Sequence, residues 1–288
     1  MGNELGKSLG VVGIIGAGTM GNGIAQACAV AGLPVVMVDV SDAAVAKGLA
    51  TISASLDRLV KKEKITEAGK AAALGLIKGS TAYDDLRAAH IVIEAATENY
   101  ELKLKILRQV DALVAPEVIL ASNTSSISIT KLAASVSSPS RFIGMHFFNP
   151  VPLMALVELI RGLQTSDETV AAVQAFATAI GKTPIAVKNS PGFVVNRILC
   201  PMINEAIFAL QEGLASAADI DEGMKLGCNH PIGPLALADL IGLDTMLAVM
   251  EVFYDGFNDP KYRPAPLLKE MVDAGYLGRK TGQGFYQY

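Results

Sequence analysis

The chain of 288 residues has no tryptophan, only three cysteines and three histidines, and charge on only 18% of its residues. Cys28, Cys200 and Cys228 are odd in number and far apart, which excludes a disulfide framework and a cysteine metal site and fits reduced thiols. Cys28, within a helical segment, reads as a small core residue. There is no excess of basic charge: 24 Lys and Arg against 28 Asp and Glu leave a net charge of −4, which excludes a nucleic-acid binder. No apolar run approaches the roughly 20 residues that span a bilayer, so no membrane partner is expected. Met1–Lys7 have neither a secretory apolar core nor the arginine-rich character of a transit peptide. They read as a short disordered lead, and the expected location is cytoplasmic. Low-complexity tracts are missing too, and with 51% hydrophobic residues the chain must bury a sizeable core.

What is present begins at Val11-Val12-Gly13-Ile14-Ile15, an apolar run with β-branched residues that predicts a buried parallel strand. It enters Gly16-Ala17-Gly18-Thr19-Met20-Gly21 and then a small-residue helix over Met20–Ala31. In such a turn Gly16 permits the tight bend, Gly18 lets a pyrophosphate approach the backbone, and Gly21 lets helix and strand pack closely. The helix N-terminus then presents free N–H groups and positive dipole to the phosphates. A second strand, Pro34–Val38, ends at Asp39, 18 residues past Gly21, where a ribose 2′-hydroxyl needs an acceptor. A carboxylate there repels a 2′-phosphate, and Asp42 adds a second negative charge instead of an arginine. The cofactor expected is NAD rather than NADP.

Strand and helix signals alternate through the first two thirds of the chain. A helical region from Asp42 to about Ile77, broken near Ile65-Thr66, precedes strands at Ile91–Glu94 and Val118–Ala121, with a helix carrying Glu101, Lys103 and Lys105 between them. Further apolar runs lie at Phe142–Phe148, Leu153–Ile160 and Pro184–Val187. Such alternation predicts an α/β fold: a Rossmann-type dinucleotide-binding domain over residues 1–188, a parallel sheet with helices on both faces and a helical insertion. Lys188-Asn189-Ser190-Pro191-Gly192 punctuates a boundary. Beyond it, Phe193–Leu210, Ala217–Leu226, Leu235–Leu240, Asp244–Tyr254 and Pro266–Ala274 read as helices, giving an all-helical domain over residues 189–288.

A nicotinamide enzyme needs a group that exchanges a proton beside the hydride path. His146, where an apolar strand meets Asn149-Pro150, is the best candidate, since imidazole titrates near neutrality. A strand-end histidine is more often structural, but Glu158 is the one charge in Leu153–Ile160 and needs a partner there. If the two runs pair antiparallel about Val151-Pro152-Leu153, His146 and Glu158 fall opposite each other on one face. His90 and His230 read as structural. Ser122-Asn123-Thr124-Ser125-Ser126 and Ala96-Thr97-Glu98-Asn99-Tyr100 follow strands at the end where such sheets bind ligands. The serines could instead cap a helix over Ile127–Ala134. Arg58, Lys61, Lys62 and Lys64 form a basic patch, either solvated or pairing with the phosphates of a large substrate handle.

Taken together, these motifs resemble the short-chain 3-hydroxyacyl-CoA dehydrogenases, most closely their bacterial 3-hydroxybutyryl-CoA branch. The resemblance runs from about Leu9 to Tyr288 and adds Lys188–Arg197 and Lys280-Thr281-Gly282-Gln283-Gly284-Phe285-Tyr286 to the motifs above. It implies an enzyme interconverting (S)-3-hydroxyacyl-CoA and 3-oxoacyl-CoA with NAD, on four-carbon acyl groups. His146 would be the catalytic histidine, Glu158 its orienting partner, and Ser125 and Asn196 would hold the substrate's reacting end. Thr19, Met20, Asp39, Ala96, Glu98, Lys103, Asn123, Ser125, Asn149 and Lys280 would line the cofactor beside the three glycines, and Lys61 and Lys64 would meet the CoA phosphates. The resemblance also implies a homodimer joined through the helical domain. Two rivals have the same plan: a β-hydroxyacid dehydrogenase acting on a free acid, which generally uses a lysine, and a non-catalytic, crystallin-like dinucleotide-binding protein.

Overall fold

The computed structural model describes residues 10–288; the lead read at Met1–Lys7 lies outside the described residues. Two compact units divide between Asn189 and Ser190. The first is a single eight-stranded sheet with helices. It runs β1 (Val11–Ile15), α1 (Thr19–Val30), β2 (Val35–Val38), α2 (Asp42–Lys61), α3 (Glu67–Gly75), β3 (Ile77–Ser80), β4 (Ala89–Glu94) and α4 (Tyr100–Asp111). There follow β5 (Ile119–Ser122), α5 (Ile129–Ala133), β6 (Phe142–Phe147), β7 (Leu156–Arg161), α6 (Asp167–Ala179) and β8 (Thr183–Lys188).

Strand order is β3-β2-β1-β4-β5-β6-β7-β8. Neighbours from β3 to β6 pair in parallel, whereas β6 and β7 are antiparallel and β7 and β8 parallel to each other, so the last two strands run against the rest. The chain order reverses direction between β1 and β4, which puts the carboxyl ends of both strands beside a crevice. Continuous apolar runs make this possible. Val12, Ile14, Met37, Ile93, Leu120, Ile143 and Met145 are all but removed from water, each such side chain contributing about 1.5–3 kcal/mol. Cys28 is buried in the same core.

The helical region does break where the sequence indicates, with Thr66 capping α3 by accepting from the Gly69 N–H at 3.0 Å. It does not continue to Ile77. Helix α3 ends at Gly75, and Ile77-Lys78-Gly79-Ser80 is an edge strand on β2. This strand has no apolar alternation to announce it; docking decides its conformation. Gly79 lies so close to α2 that a Cβ there would sit 2.4 Å from the Val45 side chain.

The second unit is helical: α7 (Val195–Gln211), α8 (Ala217–Cys228), α9 (Pro234–Ile241), α10 (Leu243–Phe257) and α11 (Pro266–Asp273). Its own core comprises Cys200, Ile203, Ile207, Leu235, Met246, Met250, Phe253 and Leu268, among others. Two buried carboxylates fasten its ends. Asp221 accepts from the Leu235 and Ala236 N–H groups at the start of α9, and Asp239 accepts from the Phe285 and Tyr286 N–H groups of the C-terminal segment.

Candidate active site

The cofactor half is built by the first turn. Gly16 has φ +100°, and a Cβ on it would meet the Ala95 carbonyl oxygen at 2.7 Å. A Cβ on Gly21 would sit 1.8 Å from the Gly16 oxygen, so the helix can start this close to the strand only without a side chain there. Beside Gly18 the opposite holds: a Cβ would find nothing within 4 Å, so the turn opens onto space at the start of α1. Helices α2 to α6 are each capped by a side chain, Ser41, Thr66, Asn99, Ser128 and Ser166. Helix α1 has no side-chain cap and no acid in its first turn, so its N–H groups at Thr19 and Met20 suit an external anion. Asp39 closes the turn: its Oδ2 accepts from the Ala17 N–H and its Oδ1 from the Val40 N–H, each at 2.6 Å. Open space, a bare helix end and an acceptor at the end of β2 together fit a dinucleotide.

At the next strand ends lies a cluster the sequence only partly disclosed. Glu94, fully buried, accepts from Lys103 Nζ at 2.5 Å, from the Ser122 hydroxyl at 2.7 Å and from the Ala96 N–H at 2.9 Å. Lys103 is itself only 1% exposed and lies 3.8 Å from Glu98. Its ammonium is therefore aimed at Glu94 inside the unit rather than at the surface. Glu94 was legible in principle, being a lone charge closing an apolar strand, as Glu158 is.

Glu98 reaches the serine run: its Oε1 accepts from the hydroxyls of Thr124 at 2.6 Å and Ser126 at 2.8 Å and from the Ser125 N–H at 3.0 Å. The run does not cap the following helix. That cap is Ser128, which accepts from the Lys131 N–H, and the helix is only Ile129–Ala133. Asn123 instead ties strands: its N–H donates to the Glu94 carbonyl at 2.8 Å and its Oδ1 accepts from the Phe147 N–H at 2.9 Å.

Phe147 follows His146. In the β6–β7 ladder His146 stands directly opposite Glu158, with Met145 opposite Leu159 and Phe147 opposite Val157. His146 Nδ1 lies 2.8 Å from Glu158 Oε2. Both residues are buried, Glu158 completely, and the Phe148 ring lies 4.6 Å from the imidazole, tilted by 51°. A carboxylate in this position selects the tautomer with hydrogen on Nδ1, which makes Nε2 the basic atom of the neutral ring.

The remaining candidates lie at the surface of this unit or on the other unit. Asn149 is exposed beyond β6, and Lys61 and Lys64 are exposed at the end of α2 with Arg58 and Lys62. In the helical unit Asn196 is half-buried in the first turn of α7, and the Lys280 ammonium holds both Asp244 oxygens, at 2.5 and 2.6 Å. Among the described residues no group of His, Cys, Asp and Glu is arranged to hold a metal.

An open glycine turn at an uncapped helix start, in the same unit as a buried imidazole–carboxylate pair, fits a nicotinamide-dependent dehydrogenase. The chain belongs to the 3-hydroxyacyl-CoA dehydrogenase family: the model of that family's NAD-binding domain matches residues 11–190 and the model of its C-terminal domain matches residues 192–288. The solved structure of (S)-3-hydroxybutyryl-CoA dehydrogenase from Ralstonia eutropha is 77% identical, with a TM-score of 0.95 and coverage of 96% of this chain and 98% of that one. The 3-hydroxybutyryl-CoA dehydrogenase of Bradyrhizobium diazoefficiens is 54% identical over 277 residues, 96% of this chain and 94% of that protein. The enzyme of the same name from Clostridioides difficile is 50% identical over 275 residues, 96% of this chain and 98% of that protein.

Proposed function

We propose that this NAD-dependent oxidoreductase interconverts (S)-3-hydroxybutyryl-CoA and acetoacetyl-CoA, with His146 as acid and base and Glu158 as the group that orients it. The activity and the cofactor accord with the family and with relatives named for that reaction. The observation that carries the residue assignment is the buried 2.8 Å contact between His146 Nδ1 and Glu158.

In the oxidative direction His146 Nε2 takes the proton of the 3-hydroxyl as the C3–H bond breaks. The hydride acceptor would be supplied by NAD when bound. Glu158 stabilises the imidazolium that forms, since a buried carboxylate at hydrogen-bond distance favours the charged ring. In the reductive direction the same imidazolium returns its proton to the oxygen developing on C3. Ser125 and Asn196 are the proposed holders of that oxygen and of the reacting end of the acyl chain. Asp39 would accept from the adenosine ribose, the N–H groups around Gly18, Thr19 and Met20 would hold the pyrophosphate, and Ala96, Glu98, Asn123, Asn149 and Lys280 would line the remaining cofactor surface. Lys103 acts in this reading through Glu94 and Glu98. Lys61 and Lys64 meet the CoA phosphates.

The acting form is proposed to be a cytoplasmic homodimer joined through the helical unit. That unit exposes Ile198, Leu214 and Leu226, apolar surface of the kind that subunit contacts cover. No helix among the described residues is long and apolar enough to cross a membrane.

One spectrophotometric comparison tests the reading: NADH oxidation with acetoacetyl-CoA, with free acetoacetate and without substrate. Turnover with acetoacetyl-CoA alone is expected. Preference for the free acid would make the protein a hydroxyacid dehydrogenase, and no turnover with either would leave a binding protein.

A further inference from the structure

The strand connection that sets the His146–Glu158 register is too long to set it by itself. A two-residue hairpin fixes register through its turn, but here residues 148–156 lie between Phe147 and its partner Val157. A slip of one residue in β7 would turn Glu158 to the opposite face and leave His146 facing an apolar neighbour. Something outside the hairpin must therefore hold the connection.

Lys182 is placed to do so. It ends the link between α6 and β8, and its residue is only 8% exposed. Its Nζ donates to the carbonyl oxygen of Val151 at 2.5 Å and to that of Met154 at 2.8 Å. No ion pair joins it to a carboxylate among the described residues, so its polar partners are the two carbonyls of this loop. Desolvation lowers its amine below the ordinary lysine value, an effect the neighbouring Cys28 thiol opposes. Two carbonyl acceptors need only two N–H groups, so the contact does not depend on the third proton.

The next residue carries the anchorage into the ladder: the Thr183 N–H donates to the Ala155 carbonyl at 2.8 Å, and Thr183 pairs with Leu156 in the β7–β8 ladder. The opposite side of the loop is braced by the cofactor helix. A Cβ on Gly23 of α1 would stand 2.8 Å from the Val151 Cβ, and Val151 is 1% exposed.

We infer that Lys182 is a positioning residue for the dehydrogenase reaction: by clamping the Val151 and Met154 carbonyls it fixes the register of β7 against β6 and so the alignment of Glu158 with His146. The inference rests on the reading of His146 as the acid and base. The loop joins the helix that opens the cofactor turn to the strand that carries the imidazole, so a relaxed clamp misplaces the base relative to the nicotinamide. Misplacement on the ångström scale costs as much as about a hundredfold in rate.

The test uses the full-length enzyme with NADH and acetoacetyl-CoA. Lys182→Met keeps the apolar stem and removes the donors. It is expected to lower kcat by about tenfold or more while the KM for NADH stays within about twofold. Combined with Glu158→Gln it should lose clearly less than the product of the two single losses, because both changes act through His146. The downfield proton resonance of the His146 Nδ1–H, assigned by its loss in His146→Gln, should broaden or vanish in Lys182→Met under conditions where circular dichroism shows an intact fold. If the methionine variant does not fold, Lys182→Gln, which retains an amide donor on a shorter stem, is read in the same way. Unchanged kcat and resonance, a loss that adds fully to that of Glu158→Gln, or a lower melting temperature with the resonance retained would each overturn the clamp. Full activity in His146→Gln would instead overturn the acid–base reading beneath it.

Discussion

His146 and Glu158 face each other across an antiparallel pair of strands, with Nδ1 2.8 Å from Oε2 and the carboxylate fully buried. The carboxylate is removed from water at a cost that its contact with the ring helps to offset. The pair therefore acts as a unit, and its members should not contribute independently.

His146→Gln is expected to lower kcat by roughly 10²–10⁴, the usual contribution of general acid–base catalysis, with NADH binding retained. Glu158→Gln should also lower kcat. The double variant should lose clearly less than the product of the two single losses. Steady-state kinetics with acetoacetyl-CoA decide it, and multiplicative losses would mean that the two side chains work separately.

Asp39 makes a prediction about cofactor choice. Its oxygens already accept from the Ala17 and Val40 N–H groups, so it is held rigidly where a ribose hydroxyl would arrive, and a 2′-phosphate would meet a fixed negative charge. NADH should exceed NADPH by about tenfold or more in kcat/KM, equivalent to about 1.4 kcal/mol. Asp39→Ala should narrow the gap mainly by raising the KM for NADH. Equal use of both cofactors by the parent enzyme would remove Asp39 from the ribose.

Much of this was legible because strong local signals agreed with the tertiary structure. The glycine turn, the acid ending β2 and the opposition of His146 and Glu158 all follow from spacing and from the cost of burying a charge. Edge strand β3 is not legible in the sequence because Ile77-Lys78-Gly79-Ser80 has no periodicity and is shaped by docking on β2 and α2. The Ser122–Ser126 run was ambiguous for a different reason. Hydroxyl side chains serve caps and polar clusters alike, and only the folded chain shows Ser128 as the cap and Glu98 as the partner of Thr124, Ser125 and Ser126. Lys103 and Lys182 look like surface lysines in the sequence, since nothing local marks the buried acceptors that each one finds.

The Glu94–Lys103 pair predicts a stability effect. Both side chains are about 1% exposed and 2.5 Å apart. Removing one partner strands a buried charge, so Lys103→Met should destabilise the fold by about 3–5 kcal/mol. The exposed Arg87–Asp84 pair offers the contrast: Arg87→Met should be close to neutral. Urea denaturation of the two variants tests the difference, and equal midpoints would show that Glu94 finds another donor.

The thiols predict a dependence on pH. Burial pushes Cys28 and Cys200 up from 9.0 to about 12, whereas in the unfolded chain they ionise near the ordinary value. Between about pH 9 and 12 the folded state therefore holds more protons than the unfolded state, and the stability contributed by these thiols is present below pH 9 and declines as pH rises through that window. Of the three cysteines only Cys228 is exposed. A thiol reagent at neutral pH should titrate one group in the native protein and three in denaturant, and fast reaction of a second native thiol would contradict the burial.

The basic patch at the end of α2 predicts how the substrate handle is bound. Arg58, Lys61, Lys62 and Lys64 are exposed and clustered, with Glu63 and Glu67 nearby. The phosphates of CoA lie far from C3, and binding energy from such remote groups can be used to orient the reacting carbon. Free acetoacetate should accordingly show a lower kcat as well as a higher KM. Lys61→Ala with Lys64→Ala should chiefly raise the KM for acetoacetyl-CoA, and the effect should shrink at high salt because exposed charges are screened over about 10 Å at 0.1 M. The KM for NADH should hardly move, since the glycine turn and Asp39 use none of these lysines. Kinetic titrations at low and high ionic strength separate the two effects. A double variant that matches the parent for acetoacetyl-CoA at low salt would make the patch an ordinary solvated face and place the CoA phosphates elsewhere.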